Sequence, residues 1–207
     1  MRLNESKEVK KTLQKHLGIN LTVVNSAKLF LGRLKGVREP EKKRKIIGDL
    51  EAIRIEKEAE NTPNAGRFLN SLRARHGIGV RVLGDITPER VEITRKTDHV
   101  FISMIKKAGI YEEASFLASI SQTYAGLDTD QAVGLMVDTR VYGHIVILRA
   151  ATTSDFMSAE PYEFSFELLK AMAHRIVNEV DGVSRVTYDL SSKLPDTIEL
   201  EQRFWIE

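Results

Sequence analysis

The segment VYGHIVILRAAT, residues 141–152, is the strongest indication of the fold in the sequence, because its centre is apolar on both faces. The run HIVIL, residues 144–148, lacks the polar alternation of a half-exposed strand and is typical of a strand in the middle of a sheet. Residues 132–137 predict a second strand, and Asp138-Thr139-Arg140 predicts a tight turn between the two. The sequence therefore predicts a β-hairpin whose second strand lies centrally.

Helices and further strands surround this hairpin. Thr87-Pro88-Glu89 predicts the start of a helix that ends at Gly109, because threonine caps helix N-termini and proline suits the first helical position. A stripe of apolar residues at helical spacing predicts another helix over residues 164–180. Two further strands are predicted over residues 80–83 and 185–190, and a helix over residues 111–124. The second half is thus predicted to be an α+β domain with a mostly antiparallel sheet.

The N-terminal part predicts α/β elements of its own. Residues 4–16 predict a helix, LTVV at residues 21–24 a short buried strand, and Pro40 the start of a second helix. A polar stretch and a turn at residues 62–66 predict a boundary between about Asn61 and Gly79. The predicted domains are therefore residues 1–75 and 76–207.

The composition excludes several classes of protein. The chain has 207 residues, 42% of them hydrophobic, so it is long enough to bury a core. It contains no cysteine, which excludes disulfides and thiolate metal sites. No apolar run approaches the ~20 residues that span a bilayer, and the N-terminal sequence lacks the apolar core of a signal peptide. We therefore expect a soluble cytosolic protein with no membrane partner.

Basic residues dominate the sequence up to Arg81 and include KKRK at residues 42–45. This asymmetry indicates two units or a basic surface that faces an anion. Nucleic-acid binding is an alternative that we do not favour, because aromatic residues suited to base stacking are not interleaved with KKRK. The histidines show no metal-ligand spacing, so no metal site is predicted.

The stretch RVTYDLSSKLPDTIELE, residues 185–201, begins as a strand and then places a lysine, a proline, a threonine and carboxylates close to the C-terminus. Chain termini usually fray, so such a concentration of polar groups needs an explanation. An ammonium group and short hydroxyl and N–H donors suit a bound phosphate. A solvated tail with an incidental lysine and threonine is the alternative.

Several segments together resemble one enzyme family. VLGDITPERVEITRKTDHVFISMIKKAG (residues 82–109), VGLMVDTRVYGHIVILRAATTSDFM (133–157) and RIVNEVDGVSRVTYDLSSKLPDTIELE (175–201) resemble the C-terminal dimerisation domain of glutamine-hydrolysing GMP synthase. RLNESKEVKKTLQKHLGINLTVV (2–24) and PEKKRKIIG (40–48) resemble part of its ATP-pyrophosphatase domain. The resemblance implies an α/β remnant of an ATP-pyrophosphatase domain followed by an α+β dimerisation domain.

The resemblance also implies an activity. Glutamine-hydrolysing GMP synthases are carbon–nitrogen ligases of purine biosynthesis that aminate xanthosine monophosphate (XMP) to GMP. They use ATP and Mg²⁺ to activate the C2 oxygen of XMP as an adenylate, and ammonia then displaces AMP. By resemblance we expect XMP as substrate and a cytosolic homodimer formed through the C-terminal domain.

Four tail residues match the family's substrate-binding tail. That tail reads K-P-P-x-T-x-E-W-E in the family and KLPDTIELE here. The resemblance implies that Lys193 and Thr197 contact the phosphate of XMP, and that Ile198 and Glu199 lie beside its ribose and base. Leu200 stands where the family has tryptophan.

The resemblance implies four further site residues outside the tail. Arg140 matches an arginine that the family keeps in its hairpin turn, and Gln122 matches a glutamine that can reach the substrate. Arg44 and Lys45 belong to a mobile basic segment near ATP. Solvated surface residues are the alternative for Arg140, Arg44 and Lys45.

The sequence lacks the catalytic elements of the family. No S-G-G-x-D-[ST] loop is present to hold pyrophosphate, no F-P-G-P-G loop follows, and no cysteine can serve a glutaminase. Arg75 and His76 are interpreted as remnants of an interrupted junction. We therefore predict no catalytic residue, no binding of ATP and Mg²⁺, and no GMP synthesis by this chain alone. A non-catalytic dimerisation fragment is the alternative function, from either an incomplete gene product or a short paralogue.

Overall fold

The computed structural model describes residues 2–17, 25–49, 77–110, 120–136, 139–153 and 157–200. The helices are α1 (Glu5–Leu17), α2 (Ala27–Leu34), α3 (residues 40–49), α4 (Pro88–Lys107) and α5 (Phe166–Glu179), and a 3-10 turn covers Ile78–Arg81. The strands are β1 (Ile120–Met136), β2 (Thr139–Thr152), β3 (Glu160–Pro161) and β4 (Val183–Tyr188).

Strand β2 is central in the sheet, as predicted from its apolar faces. It pairs antiparallel with β1 on one side. On the other side it pairs parallel with β4 and, near its C-terminal end, antiparallel with β3. The parallel pair requires a crossover, which α5 supplies between β2 and β4. Antiparallel pairing predominates, but the sheet is mixed, and the fold is a mixed sheet covered by helices.

The hydrophobic core lies between this sheet and helices α4 and α5. Fully buried side chains come from each layer: Phe101 and Ile105 from α4, Leu127 from β1, Val146 and Leu148 from β2, and Met172 and Ile176 from α5. Burying one such side chain contributes roughly 1.5–3 kcal/mol. The apolar stripe predicted on α5 therefore faces the core. None of the helices among the described residues is long and apolar enough to cross a membrane.

The N-terminal helices pack onto the same core. Leu34 at the end of α2 and Ile47 of α3 are buried in one cluster with Val80. Lys43, which belongs to the KKRK motif, is buried and donates from Nζ to the carbonyl of Val82 over 2.7 Å. A buried ammonium requires such polar partners. Lys43 is therefore a packing residue of α3.

The bulge in β1 explains why this strand was predicted too short. Leu127 pairs with Val146 and Gln131 with His144, so residues 128–130 face a single residue of β2. Arg90 fixes the bulge by donating from Nη2 to the carbonyl of Asp128 over 2.8 Å. A bulge interrupts the period-2 pattern by which a strand is detected.

Two predictions of local structure were wrong, and one helix was missed. The helix predicted over residues 111–124 is β strand from Ile120 onward, because pairing with β2 outweighs local propensity there. The strand predicted over residues 80–83 is a 3-10 turn followed by one bridge from Val82 to Leu127, since a short apolar run fits either state. Helix α2 was not predicted.

Several predicted features lie outside the described residues. They are the strand at residues 21–24, the turn at residues 62–66, Arg75, His76, Val137, Asp138 and the first nine residues of the helix predicted over residues 111–124.

The predicted start of α4 is confirmed. Thr87 is its N-cap and its side chain accepts a hydrogen bond from the backbone N–H of Arg90 over 3.2 Å. The helix ends at Lys107, and Gly109 follows with a φ of 75°. This left-handed conformation suits glycine and closes the helix.

Substituting the cap tests its contribution. We expect Thr87→Ala to lower the free energy of unfolding by about 1 kcal/mol in urea denaturation, because one helical N–H loses its acceptor. Thr87→Ser keeps the hydroxyl and should retain most of that stability. Equal stability of Thr87→Ala and the parent chain would contradict a capping role.

Candidate functional site

The segment after β4 folds back onto the sheet. The backbone N–H of Lys193 donates to the carbonyl of Ala159 over 2.7 Å, which ties this segment to the residues before β3. The peptide bond between Leu194 and Pro195 is cis. Glu199 is only 4% exposed. We call residues 189–200 the tail; it is a packed part of the domain.

Arg149 of β2 binds the tail from within the sheet. Its side chain is 2% exposed, and its Nη2 donates to the carbonyls of Ser191 over 2.9 Å and Thr197 over 3.1 Å. Its Nη1 forms an ion pair with Oδ2 of Asp189 at 2.5 Å. A guanidinium presents several donors in a fixed plane, so one buried arginine can bind two carbonyls and a carboxylate together.

Tyr124 of β1 provides a second anchor. Its hydroxyl donates to the carbonyl of Ile198 over 2.6 Å. Burial raises the pKa of Tyr124, and the Glu199 carboxylate raises it further, so the hydroxyl stays a neutral donor. Next to it, Gly126 allows close approach, because a Cβ there would lie 2.4 Å from Cδ1 of Leu200. The tail therefore lies directly on the surface of β1.

Glu199 joins the tail to Gln122. Nε2 of Gln122 donates to Oε1 of Glu199 over 2.5 Å. The hydroxyl of Thr197 donates to the carbonyl of Glu199 over 2.6 Å, which orders the backbone between them. The structure thus brings together Gln122, Thr197, Ile198 and Glu199, four of the residues singled out from the sequence.

A buried ion-pair network lies beneath Glu199. Nε of Arg81 is 3.8 Å from Oε2 of Glu199, and its Nη1 is 3.8 Å from Oδ1 of Asp98. Asp98 is 1% exposed and also pairs through Oδ2 with Nε of Arg2 at 2.9 Å. Burial raises the pKa of Asp98, while Arg2 and Arg81 favour its charged form.

The remaining predicted residues lie elsewhere. Lys193 lies within the tail and is half-buried. Arg140 was predicted in the hairpin turn but lies in β2 opposite Leu135, where it is exposed. It precedes Arg149 by nine residues in the same strand, about 30 Å at ~3.3 Å per residue, so it does not join the tail cluster of its own chain.

The basic residues predicted near ATP lie on α3. Arg44 pairs through Nη1 with Oε1 of Glu41 at 2.6 Å, and Lys45 is exposed. Within the described part of the chain, no group of histidine and carboxylate side chains is arranged to hold a metal ion.

Sequence reasoning missed Arg149, Tyr124, Arg81 and Asp98. Arg149 directly follows the apolar run of β2, where an arginine is usually interpreted as the polar end of a strand. Asp98 lies on the buried face of α4, and a charged residue at a core position of a helix is a signal that could have been used.

Removing the Arg149 guanidinium tests its role as an anchor. We expect Arg149→Met to lower the free energy of unfolding by about 2–3 kcal/mol in urea denaturation, because Asp189 and two carbonyls lose a shared donor. Arg185→Met, at an exposed position of β4, is the matched control and should be close to neutral. A similar small effect of both substitutions would contradict the anchoring role.

Comparison with known proteins agrees with the resemblance seen in the sequence. Residues 103–200 match the family described as GMP synthase C terminal domain. The chain is 46% identical to a glutamine-hydrolyzing GMP synthase of Gibberella zeae, over 97% of this chain and 51% of that protein. Identity is 40% with the Emericella nidulans enzyme and 38% with that of Saccharomyces cerevisiae, again over 97% of this chain and 50% of each relative.

The chain spans about half the length of these relatives. The matched span of 282 residues in the Gibberella zeae protein exceeds the 207 residues of this chain, so that relative contains internal residues without a counterpart here. The resemblance predicted from the sequence is confirmed. Residues 103–200 are thus similar to the C-terminal domain of GMP synthases, and almost the whole chain is similar to about half the length of glutamine-hydrolysing GMP synthases.

Proposed function

We propose that this chain supplies the XMP-binding C-terminal part of a GMP synthase, a cytosolic ligase that aminates XMP to GMP with ATP. The observation that carries this proposal is the docked tail. Arg149 and Tyr124 bind the carbonyls of Thr197 and Ile198, so their positions are set by the sheet. A preorganised segment loses less entropy when it binds a ligand than a free tail does.

The chemistry of the tail suits a nucleoside monophosphate. The ammonium of Lys193 is a suitable donor to a phosphate, and the hydroxyl of Thr197 becomes one when it turns away from the carbonyl of Glu199. Gln122 and Glu199 offer an amide and a carboxylate for the hydroxyl and N–H groups of ribose and base. We infer that Lys193 and Thr197 take the phosphate, and that Ile198 and Glu199 lie beside the nucleoside.

We further propose that residues 1–75 are a remnant of an ATP-pyrophosphatase domain and residues 76–207 the dimerisation domain. The burial of Leu34 and Ile47 in the core supports a role for the remnant in stabilising the second unit. Arg44 and Lys45 would then belong to the side of α3 that faces ATP in a complete enzyme. The sequence contains no S-G-G-x-D-[ST] loop to hold pyrophosphate, so the proposal assigns no ATP-dependent step to these residues.

Binding of XMP tests the proposal by calorimetry. We expect the parent chain to bind XMP and Lys193→Ala to weaken binding by about 1–3 kcal/mol, the cost of a lost charge-assisted hydrogen bond. Lys106→Ala removes the same charge from an exposed position of α4 and is the matched control. Absence of XMP binding by the parent chain would refute the proposed function and favour a dimerisation fragment.

We propose that the far end of the hairpin forms a homodimer interface. Val133 of β1 and Tyr142 of β2 are register partners and therefore lie on one face, with Tyr142 69% exposed. An exposed apolar pair on the surface of the hairpin favours association with another protein surface. A second copy of the chain is the partner that the family resemblance favours.

The mass in solution tests this interface. We expect light scattering to give a dimer for the parent chain and a monomer for Tyr142→Asp, because a carboxylate would be buried without a partner. Phe166→Asp is the matched control, since Phe166 on α5 is 70% exposed. A monomeric parent, or a dimer unaffected by Tyr142→Asp, would contradict the proposal.

A further inference from the structure

Arg81 connects three parts of the molecule beneath the tail. It lies at the end of the 3-10 turn, and its side chain is 11% exposed. Its guanidinium carbon is 4.8 Å from the centre of the Tyr124 ring. It is also 3.8 Å from both Asp98 and Glu199. One arginine thus contacts a helix carboxylate, a strand aromatic and a tail carboxylate.

Glu199 depends on Arg81 for charge compensation. Its Oε1 accepts from the neutral amide of Gln122, and within the described part of the chain its Oε2 has no hydrogen-bond donor. Arg81 is the cation that comes within ion-pair distance of Glu199 among the described residues. A carboxylate at 4% exposure is costly without a nearby positive charge.

Arg81 itself is fixed from the other side. Its Nη1 lies within ion-pair distance of Oδ1 of Asp98 on α4, at 3.8 Å, and Arg2 pairs with the second oxygen of Asp98. The Tyr124 ring provides a face on which the guanidinium stacks. Asp98 belongs to α4 and Tyr124 to β1, so Arg81 is held by elements other than the tail. A residue that positions the tail must be held in this way.

We propose that Arg81 is a positioning residue for the tail: held by Asp98 and the Tyr124 ring, it fixes Glu199 and thereby the segment from Thr197 to Leu200. The functional meaning of this inference rests on the proposed function. Arg81 positions the part of the site that lies beside the nucleoside, whereas Lys193 and Thr197 bind the phosphate. A lysine could not span these contacts with its single ammonium group.

Trypsin cleavage after Lys193 reports release of the tail directly. In the full chain, we expect Arg81→Met to accelerate this cleavage about tenfold, the factor that corresponds to ~1.4 kcal/mol in the opening equilibrium. Cleavage after Lys170 in α5 is the internal reference for global unfolding. Arg175→Met on the surface of α5 is the matched control and should leave the cleavage ratio unchanged.

Rescue separates positioning from general destabilisation. In the Arg81→Met background, Glu199→Gln removes the uncompensated carboxylate and should return the cleavage ratio close to that of the parent chain. Arg81→Lys should be intermediate. An unchanged ratio in Arg81→Met, an equal acceleration at Lys193 and Lys170, or a lack of rescue would each overturn the proposal.

XMP calorimetry on the same variants distinguishes a failure of the proposed function from a failure of the proposed role of Arg81. If Arg81 acts through Glu199, Arg81→Met and Glu199→Gln weaken XMP binding non-additively, and the double variant binds like either single one. Additive losses would overturn positioning through Glu199. A parent chain that binds no XMP refutes the proposed function, and the cleavage ratios then decide the role of Arg81 alone.

Discussion

The tail and the residues around it are organised by the buried guanidinium of Arg149, which binds the tail at three points. A charge in the central strand of a sheet cannot be compensated by water, so partners must be brought to it. Those partners are Asp189 and the carbonyls of Ser191 and Thr197, all within the tail. Because the buried charge of Arg149 requires polar partners, residues 189–197 are held against the sheet and form part of the domain.

Further contacts hold the tail against β1 and the core. Tyr124 and Gln122 extend the contact from β2 to β1, and Arg81 connects it to the core beneath. Because Gln122 and Tyr124 both hold the tail, this arrangement requires β1 to extend at least as far back as Gln122. Asp98 and Arg2 then link the same network to the segment that precedes α1.

The sequence predicted the parts of the fold that follow from local rules. The apolar faces of β2, the Thr87 cap and the stripe on α5 each have a physical signature within a few residues. Features that depend on distant partners were missed: Ile120 to Tyr124 form a strand only because β2 lies beside them. Arg149 looked like the polar end of a strand because its tail partners are about 40 residues away or more. The family resemblance identified Gln122 and Glu199, but not the arginine that joins them to the core.

The tail is an ordered part of the domain before any ligand binds. Amide hydrogen exchange of the ligand-free chain measures this order at two amides: the N–H of Lys193, which donates to Ala159, and the N–H of Ser191, which donates to Asp189. We predict protection of both amides approaching that of β4. If both amides exchanged at the rate of an unstructured peptide while β4 remained protected, the tail would not be ordered without a ligand.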